Sequence, residues 1–204
     1  MIILSYDCGN INLGVCCIDY NENWQTEFCE ALSPANLADD PVKAGENAYL
    51  IFLRAFRIIY IDNIDMLGGR KLRDTTNIER AVALRRTVAI INAQIPDPAL
   101  VLIEYQMGPN DKSRGVSYQL MYEYGERSRE MRPVYKNQVN FGAGDIGKYQ
   151  VKYSTNEAAN KAHAKDTLLH YLKYVDIGIE IPKRKLSDMA DAFLQAVAYC
   201  LKNC

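Results

Sequence analysis

No stretch of this chain is apolar for long enough to cross a bilayer. The nearest, Tyr49 to Ile61, is broken by Arg54 and Arg57, whereas a spanning helix needs about 20 apolar residues in succession. The short apolar stretch at the amino terminus has no basic region ahead of it, so no targeting segment is evident. An excess of one charge is also missing: the formal net charge is −1 and the pI is near 6.1, without the overall basic surplus common among nucleic-acid binders. The six cysteines (Cys8, Cys16, Cys17, Cys29, Cys200 and Cys204) follow no regular spacing. Several fall inside expected strands or the last helix, where a buried thiol acts as a small hydrophobe. Cys16 and Cys17 adjoin within one strand and point to opposite faces, which excludes them as a zinc pair. The expectation is a reducing, intracellular setting such as the cytoplasm, and not secretion. There is no internal repeat and no low-complexity segment. The glycines of Phe141 to Tyr149 follow no βαβ pattern with a downstream ribose-binding acid, so no nucleotide cofactor is expected.

What the chain does have is length and apolar content enough for a real core, 204 residues at 49%, and one domain spanning 1–204 is expected. The patterning predicts strands near 2–7, 13–19 and 24–30, a helix near 46–60, a helix from Asn77 to Ala93 and a strand ending at Glu104. A helix near 116–131, a strand near 133–139 and helices near 156–174 and 188–202 follow. An antiparallel start followed by alternating helices and strands argues an α/β fold with a mixed sheet flanked by helices.

Four carboxylates stand out by context. Asp7 closes the apolar strand Met1 to Tyr6, and Glu104 closes a second apolar run, Ala99 to Ile103. Both would sit at the same edge of a buried sheet. Asp188 and Asp191, three residues apart, share one flank at the start of the last helix, with Ser187 as its expected N-cap. An acid ending a strand is usually turn chemistry, and acids in a first helical turn suit the helix dipole. Glu104 is harder to explain that way, because an acid at the end of a buried strand needs a partner or a metal. In conjunction the four read as one divalent-metal site, since hard cations take several oxygen ligands and two-metal hydrolases hold ions about 3.5–4 Å apart around a phosphate.

The segments Ser5-Tyr6-Asp7-Cys8-Gly9-Asn10-Ile11-Asn12-Leu13-Gly14, Ile103-Glu104-Tyr105-Gln106 and Lys185-Leu186-Ser187-Asp188-Met189-Ala190-Asp191-Ala192 resemble the Holliday-junction resolvases of the RuvC superfamily, nearest to the poxvirus-type and fungal mitochondrial-type branches. The motifs occur in the family's order and span most of the chain. The resemblance implies a ribonuclease-H-like fold and a homodimer acting in DNA recombination and repair. Such a dimer resolves four-way junctions by paired symmetrical nicks that leave 5′-phosphate ends, using Mg2+ or Mn2+, two ions per site. It further implies that Asp7, Glu104, Asp188 and Asp191 hold the metal; the mechanism expected from them has Asp7 shared between the ions, Glu104 and Asp191 each completing one ion's coordination, and Asp188 holding or polarising the attacking water. A lysine near the scissile phosphate is also implied, Lys165 first and Lys161 second. A helical insertion at about 35–69 departs from the family's minimal form, and its stripe of Leu50, Leu53, Phe56, Arg57 and Tyr60 reads as core packing.

The basic residues partly answer the neutral charge. Lys112 and Arg114 are expected in the loop after Glu104, with Arg127, Arg129 and Arg132 beyond them. Lys183, Arg184 and Lys185 abut the last acidic pair, and with Lys112, Arg114 and Lys161 they are the candidate DNA contacts. Tyr149 and Tyr153 are candidates for stacking on unpaired bases. Two other readings stay open: a catalytically silent junction- or RNA-binding member of the same fold and, more distantly, an actin-like ATPase or sugar kinase, which shares the first-strand acid.

Overall fold

The computed structural model describes residues 1–104, 111–125, 130–134, 157–178, 180–181 and 185–203, with the side chains of 111–113, 130–134, 157–160 and 202–203 excepted. Two apolar strands, β1 (Ile2–Cys8) and β2 (Asn12–Tyr20), form an antiparallel hairpin, and a third, β3 (Phe56–Asp65), pairs antiparallel with β2. On the other side of β1 lies β4 (Leu100–Glu104), parallel to it, and then β5 (Glu130–Val134), again parallel. The sheet order is therefore β3-β2-β1-β4-β5, the mixed sheet of the ribonuclease-H-like class.

Both faces of the central strands are covered, which is why they read as continuous apolar runs and not as alternating ones. One face packs against α6 (Glu157–Tyr174) and α7 (Leu186–Asn203), burying Ile3, Cys16, Ile18, Leu100 and Leu102 with Leu168, Tyr171, Phe193 and Val197. The opposite face buries Leu4, Tyr6, Val15, Cys17, Val101 and Ile103 against α4 (Asn77–Asn92) and α5 (Asp111–Tyr124). Cys16 and Cys17 lie on opposite faces, as expected.

Polar groups at the second face are satisfied in series. Tyr6 can only donate to the Tyr124 hydroxyl, because Tyr124 gives its own proton to Asn92 Oδ1 at 2.9 Å. The helix α4 starts at a reciprocal cap: Thr76 Oγ1 accepts from the Glu79 N–H, and Glu79 Oε2 accepts from the Thr76 N–H.

Several expectations need correction. Residues 24–30 form a helix, α1 (Trp24–Ala31), and not a strand; Trp24 and Phe28 stand one turn apart and meet edge to face at 5.8 Å. The helix expected near 46–60 is α3 (Pro41–Arg54), started by Pro41 and the Asp40 cap, and it gives way to the edge strand β3. The segment 35–69 thus holds α2 (Pro34–Asp39), α3 and a whole strand of the sheet, so it is not a purely helical insertion. Leu53 and Phe56 are fully buried, in keeping with core packing. The helix α5 begins at Asp111 and ends at Tyr124, earlier at both ends than expected, so Lys112 and Arg114 are helical and not in a loop. The strand placed near 133–139 is β5, Glu130–Val134. Ser187 lies within the first turn of α7 and does not cap it.

One irregularity in the sheet sets the direction of a buried amide. Between Cys17 and Ile18 the β2–β3 register slips: Cys17 faces Tyr60 while Ile18 faces Ile58, leaving Ile59 as an extra residue in β3. Before the bulge, Phe56 and Ile58 face α6 and α7; after it, Ile61 does. Without the extra residue the period of two would turn Asn63 away from those helices.

Candidate functional site

Four residues on four strands line one row on the face covered by α7. Asp7 on β1 pairs with Gly14 on β2, and Gly14 pairs with Asn63 on β3. On the other flank Tyr6 pairs with Ile103, which brings Glu104 alongside Asp7 at the carboxyl ends of two parallel strands. Strand alternation puts Asp7 and Glu104 on the same face as Ile3, Leu100 and Leu102. Both carboxylates are buried, each 8% exposed. Asp7 and Glu104 thus lie at the ends of neighbouring parallel strands at one edge of the sheet, as expected.

The helix acids come in from above. A Cβ placed on Gly14 would lie 2.4 Å from the Asp188 carbonyl oxygen and 3.2 Å from Asp7 Cβ. The first turn of α7 therefore rests on the backbone of β2, directly beside Asp7, and only glycine allows that approach. The Asp188 carboxylate is turned toward β3, where Asn63 Nδ2 donates to its Oδ2 at 2.9 Å; Ser187 Oγ donates to its Oδ1 at 3.3 Å. Asp191 follows on the same flank, and four residues later Gln195 does too. Gln195 Oε1 accepts from Ser5, two residues before Asp7, at 3.2 Å, while its Nε2 is buried and has no hydrogen-bond partner among the described residues.

Asn63 is absent from the sequence candidates. It is 1% exposed, and an uncharged amide inside an isoleucine-rich strand offers only one signal: a polar residue on the face that its neighbour Ile61 buries. The glycine opposite Asp7 is likewise informative only once α7 is placed over it.

Beneath the acids, Ser117 Oγ on α5 donates to the Glu104 carbonyl at 3.1 Å. Burial pushes the Cys8 thiol well above its ordinary range; the charges of Glu104 and Asp7 act in the same direction, and the Ser117 hydrogen bond opposes them. That thiol packs with Leu4 and Tyr6 on the face of β1 opposite Asp7.

The donor set is all carboxylate, the chemistry of a hard divalent cation and not of zinc, copper or iron–sulfur sites. As they stand, however, no three aspartate, glutamate, histidine or cysteine groups among the described residues are close enough together to hold a metal ion. Glu104 lies on the β4 side of Asp7, and Asp188 is drawn to the β3 side by Asn63.

Of the lysines, Lys161 and Lys165 both lie on α6, whose carboxyl-terminal half is anchored where Tyr171 OH donates to the Phe56 carbonyl at 2.8 Å. Phe56 begins β3, at the end away from Asn63. Lys165 is exposed, while Lys161 is half-buried and carries an interaction. Arg114 is half-buried on α5, and Lys185 is exposed immediately before α7. Lys183 and Arg184 lie outside the described residues, as do Arg127, Arg129, Tyr149, Tyr153 and the side chains of Lys112 and Arg132.

No protein-family model and no curated protein matches this chain. Among solved structures it is similar to the fowlpox virus resolvase in complex with its substrate Holliday-junction DNA, with a TM-score of 0.55 at 18% identity, over 99% of this chain and 98% of that one. It is also similar to Thermus thermophilus RuvC, with a TM-score of 0.55 at 12% identity, over 98% and 94% of the two chains. The same RuvC bound to a Holliday-junction substrate aligns with a TM-score of 0.51 at 14% identity. The chain has the RuvC-like resolvase fold. In that fold the row of Asp7, Gly14, Asn63 and Glu104 runs across the sheet beneath the amino-terminal turn of α7. No helix among the described residues is long and apolar enough to cross a membrane.

Proposed function

We propose that this protein is a metal-dependent, structure-selective DNA endonuclease that resolves four-way junctions as a homodimer, by paired symmetrical nicks leaving 5′-phosphate ends. The observation that carries the reading is the row of acids: two buried strand carboxylates side by side, with the turn bearing Asp188 seated on Gly14, in a chain with the fold of junction resolvases.

Asp7, Glu104, Asp188 and Asp191 are the residues that would hold Mg2+ or Mn2+, two ions per site. When bound, such ions neutralise charge on the phosphate and make water a stronger nucleophile near neutral pH. The protein's own part is positional. Asp188 orients the attacking water on the side opposite the leaving group, with Asn63 and Ser187 fixing its carboxylate. Water adds to phosphorus in line, the bond to the 3′ oxygen breaks, and the phosphate stays on the 5′ end. Lys161 or Lys165 offsets the charge that develops on the phosphate oxygens. Lys112, Arg114, Lys183, Arg184 and Lys185 are the further contacts to DNA. Large apolar side chains exposed on α4 (Ile78, Val82 and Ile90) and α5 (Tyr118 and Tyr122) offer a face for the second copy.

The test is a labelled immobile four-way junction incubated with and without manganese, with both cut positions mapped. The wild-type chain should give paired symmetrical nicks, and Asp7→Asn and Glu104→Gln should bind the junction without cutting it. Undiminished cleavage by either folded variant would overturn the assignment. The separation of the carboxylates favours a second reading, a catalytically silent junction- or RNA-binding protein. Binding without manganese-dependent nicking by the wild-type chain would select it.

A further inference from the structure

Next to Asn63 the surface opens into a cleft lined by Asn12, Asn63, Asp65, Arg70, Lys71 and Lys185. We propose that this cleft seats a backbone phosphate of the nucleic-acid strand as it passes the acids, an inference that rests on the nucleic-acid reading of the acidic row. Arg70 and Lys71 belong to none of the resolvase-like motifs.

The cleft is built rather than incidental. Asp65 ends β3, and its carboxylate is turned back onto the chain: Oδ1 accepts from the Leu67 N–H at 3.0 Å and Oδ2 from the Gly69 N–H at 2.7 Å. Gly68 and Gly69 take φ of 60° and 84°, a left-handed pair that a side chain would strain. This tight turn fixes where Arg70 and Lys71 emerge. The Arg70 guanidinium is oriented further by its Nε donating to the Leu67 carbonyl and its Nη1 to Glu79 at 2.9 Å, yet half of the side chain remains exposed. Lys71 is exposed beside it. From the other wall Lys185 enters with φ of 50°, the one non-glycine residue with positive φ among the described residues. A lysine gains nothing locally from that conformation, and such strain is held by the surrounding structure.

Three cations thus line the cleft against two carboxylates, Asp65, whose oxygens are engaged by backbone N–H groups, and Glu79, which pairs with Arg70 and leaves Lys71 and Lys185 as the surplus. That surplus favours an anion over a metal cation as the occupant. Asn12 and Asn63 add neutral polar groups, and Asn63 links the cleft to Asp188 through one hydrogen bond. A strand whose scissile phosphate lay at the acids would carry its next phosphates within reach of such a wall, and phosphate contacts of this type set register without reading sequence.

The experiment measures affinity for a synthetic four-way junction across a salt series in EDTA, where no cutting occurs. The wild-type chain is compared with the triple variant Arg70→Gln, Lys71→Gln, Lys185→Gln and with a charge-matched control, Lys43→Gln, Arg54→Gln, Lys173→Gln, whose residues lie away from the cleft. Each phosphate contact to duplex DNA adds about 0.9 to the slope of log affinity against log salt. The cleft variant should lose about 1 from that slope, with the control unchanged and all melting temperatures alike. A cleft variant that matches wild type, or a control that falls equally, would overturn the cleft while leaving the proposed nuclease function intact. A wild-type chain with no affinity for the junction would overturn both.

Discussion

Replacing Gly14 with alanine is the sharpest probe of how α7 is seated. The added methyl would lie 2.4 Å from the Asp188 carbonyl oxygen and 2.8 Å from its carbonyl carbon. Both are backbone atoms that cannot swing aside. Restoring ordinary van der Waals contact requires the start of α7 to lift by roughly 1 Å, and overpacking of this kind typically costs about 1–3 kcal/mol. In a chain of this size each kcal/mol lowers the melting temperature by about 2–4 °C, so the variant should remain folded at room temperature. Activity is the more sensitive readout, because a catalytic group misplaced by 1 Å can cost about 100-fold in rate. Manganese-dependent junction nicking should therefore fall by about two orders of magnitude while circular dichroism reports only a modest loss of stability. Gly45 supplies the control: it lies in α3, and a Cβ there meets nothing within 4 Å. Gly45→Ala should raise stability by about 0.5–1 kcal/mol and leave nicking unchanged. If Gly14→Ala melts and cuts like wild type, α7 does not rest on β2.

Three other outcomes are expected. Asn63→Ala removes the donor that turns Asp188 toward β3, and nicking should drop about 10–100-fold, as for other groups that orient metal ligands; a rate equal to wild type in single-turnover assays would show the hydrogen bond to be incidental. Tyr124→Phe leaves the fully buried Tyr6 hydroxyl without its acceptor and the half-buried Asn92 carbonyl without its donor, so chemical denaturation should show a loss of about 1–3 kcal/mol; no loss would refute the donor series. The Thr76 backbone N–H, with Arg70 and the Thr76 hydroxyl assisting, lowers the Glu79 carboxyl from its ordinary 4.5 to about 2. A depressed acid contributes stability that is full above the ordinary carboxylate range and is lost as pH falls toward 2. Melting temperatures measured from pH 6 downward should thus decline less steeply in Glu79→Gln than in wild type, and parallel curves would argue against the capping box.

The sheet's central pair was legible from sequence because both of its strands are buried on two faces. Continuous apolar runs ended by Asp7 and Glu104 leave little room for another reading, and the carboxylates follow from strand alternation. The last helix was legible for a similar reason, since Met189, Phe193, Ala196, Val197 and Cys200 recur at helical spacing and are all buried. Residues 24–31 and 56–65 were misread at the sheet's margin. Trp24 and Phe28 are compatible with either period in so short a window, and Leu50, Leu53, Phe56, Arg57 and Tyr60 continue a helical stripe across a real boundary. The signal in 56–65 was composition: Ile58, Ile59, Ile61 and Ile64 are β-branched residues that fit a pleated surface better than a helix. Asn63 was beyond reach for a different reason. Its direction depends on the bulge at Ile59, and nothing local in the sequence announces one extra residue in a ladder.

The dependence of Asp188 on Gly14 and Asn63 also sets an order of events during synthesis. A nascent chain in which α7 is still inside the ribosome can pair its strands, yet it leaves the face of Asp7 and Glu104 open, because it lacks the helix that covers that face and completes the row. On the proposed function, cutting would therefore wait until the exit tunnel has released the last helix.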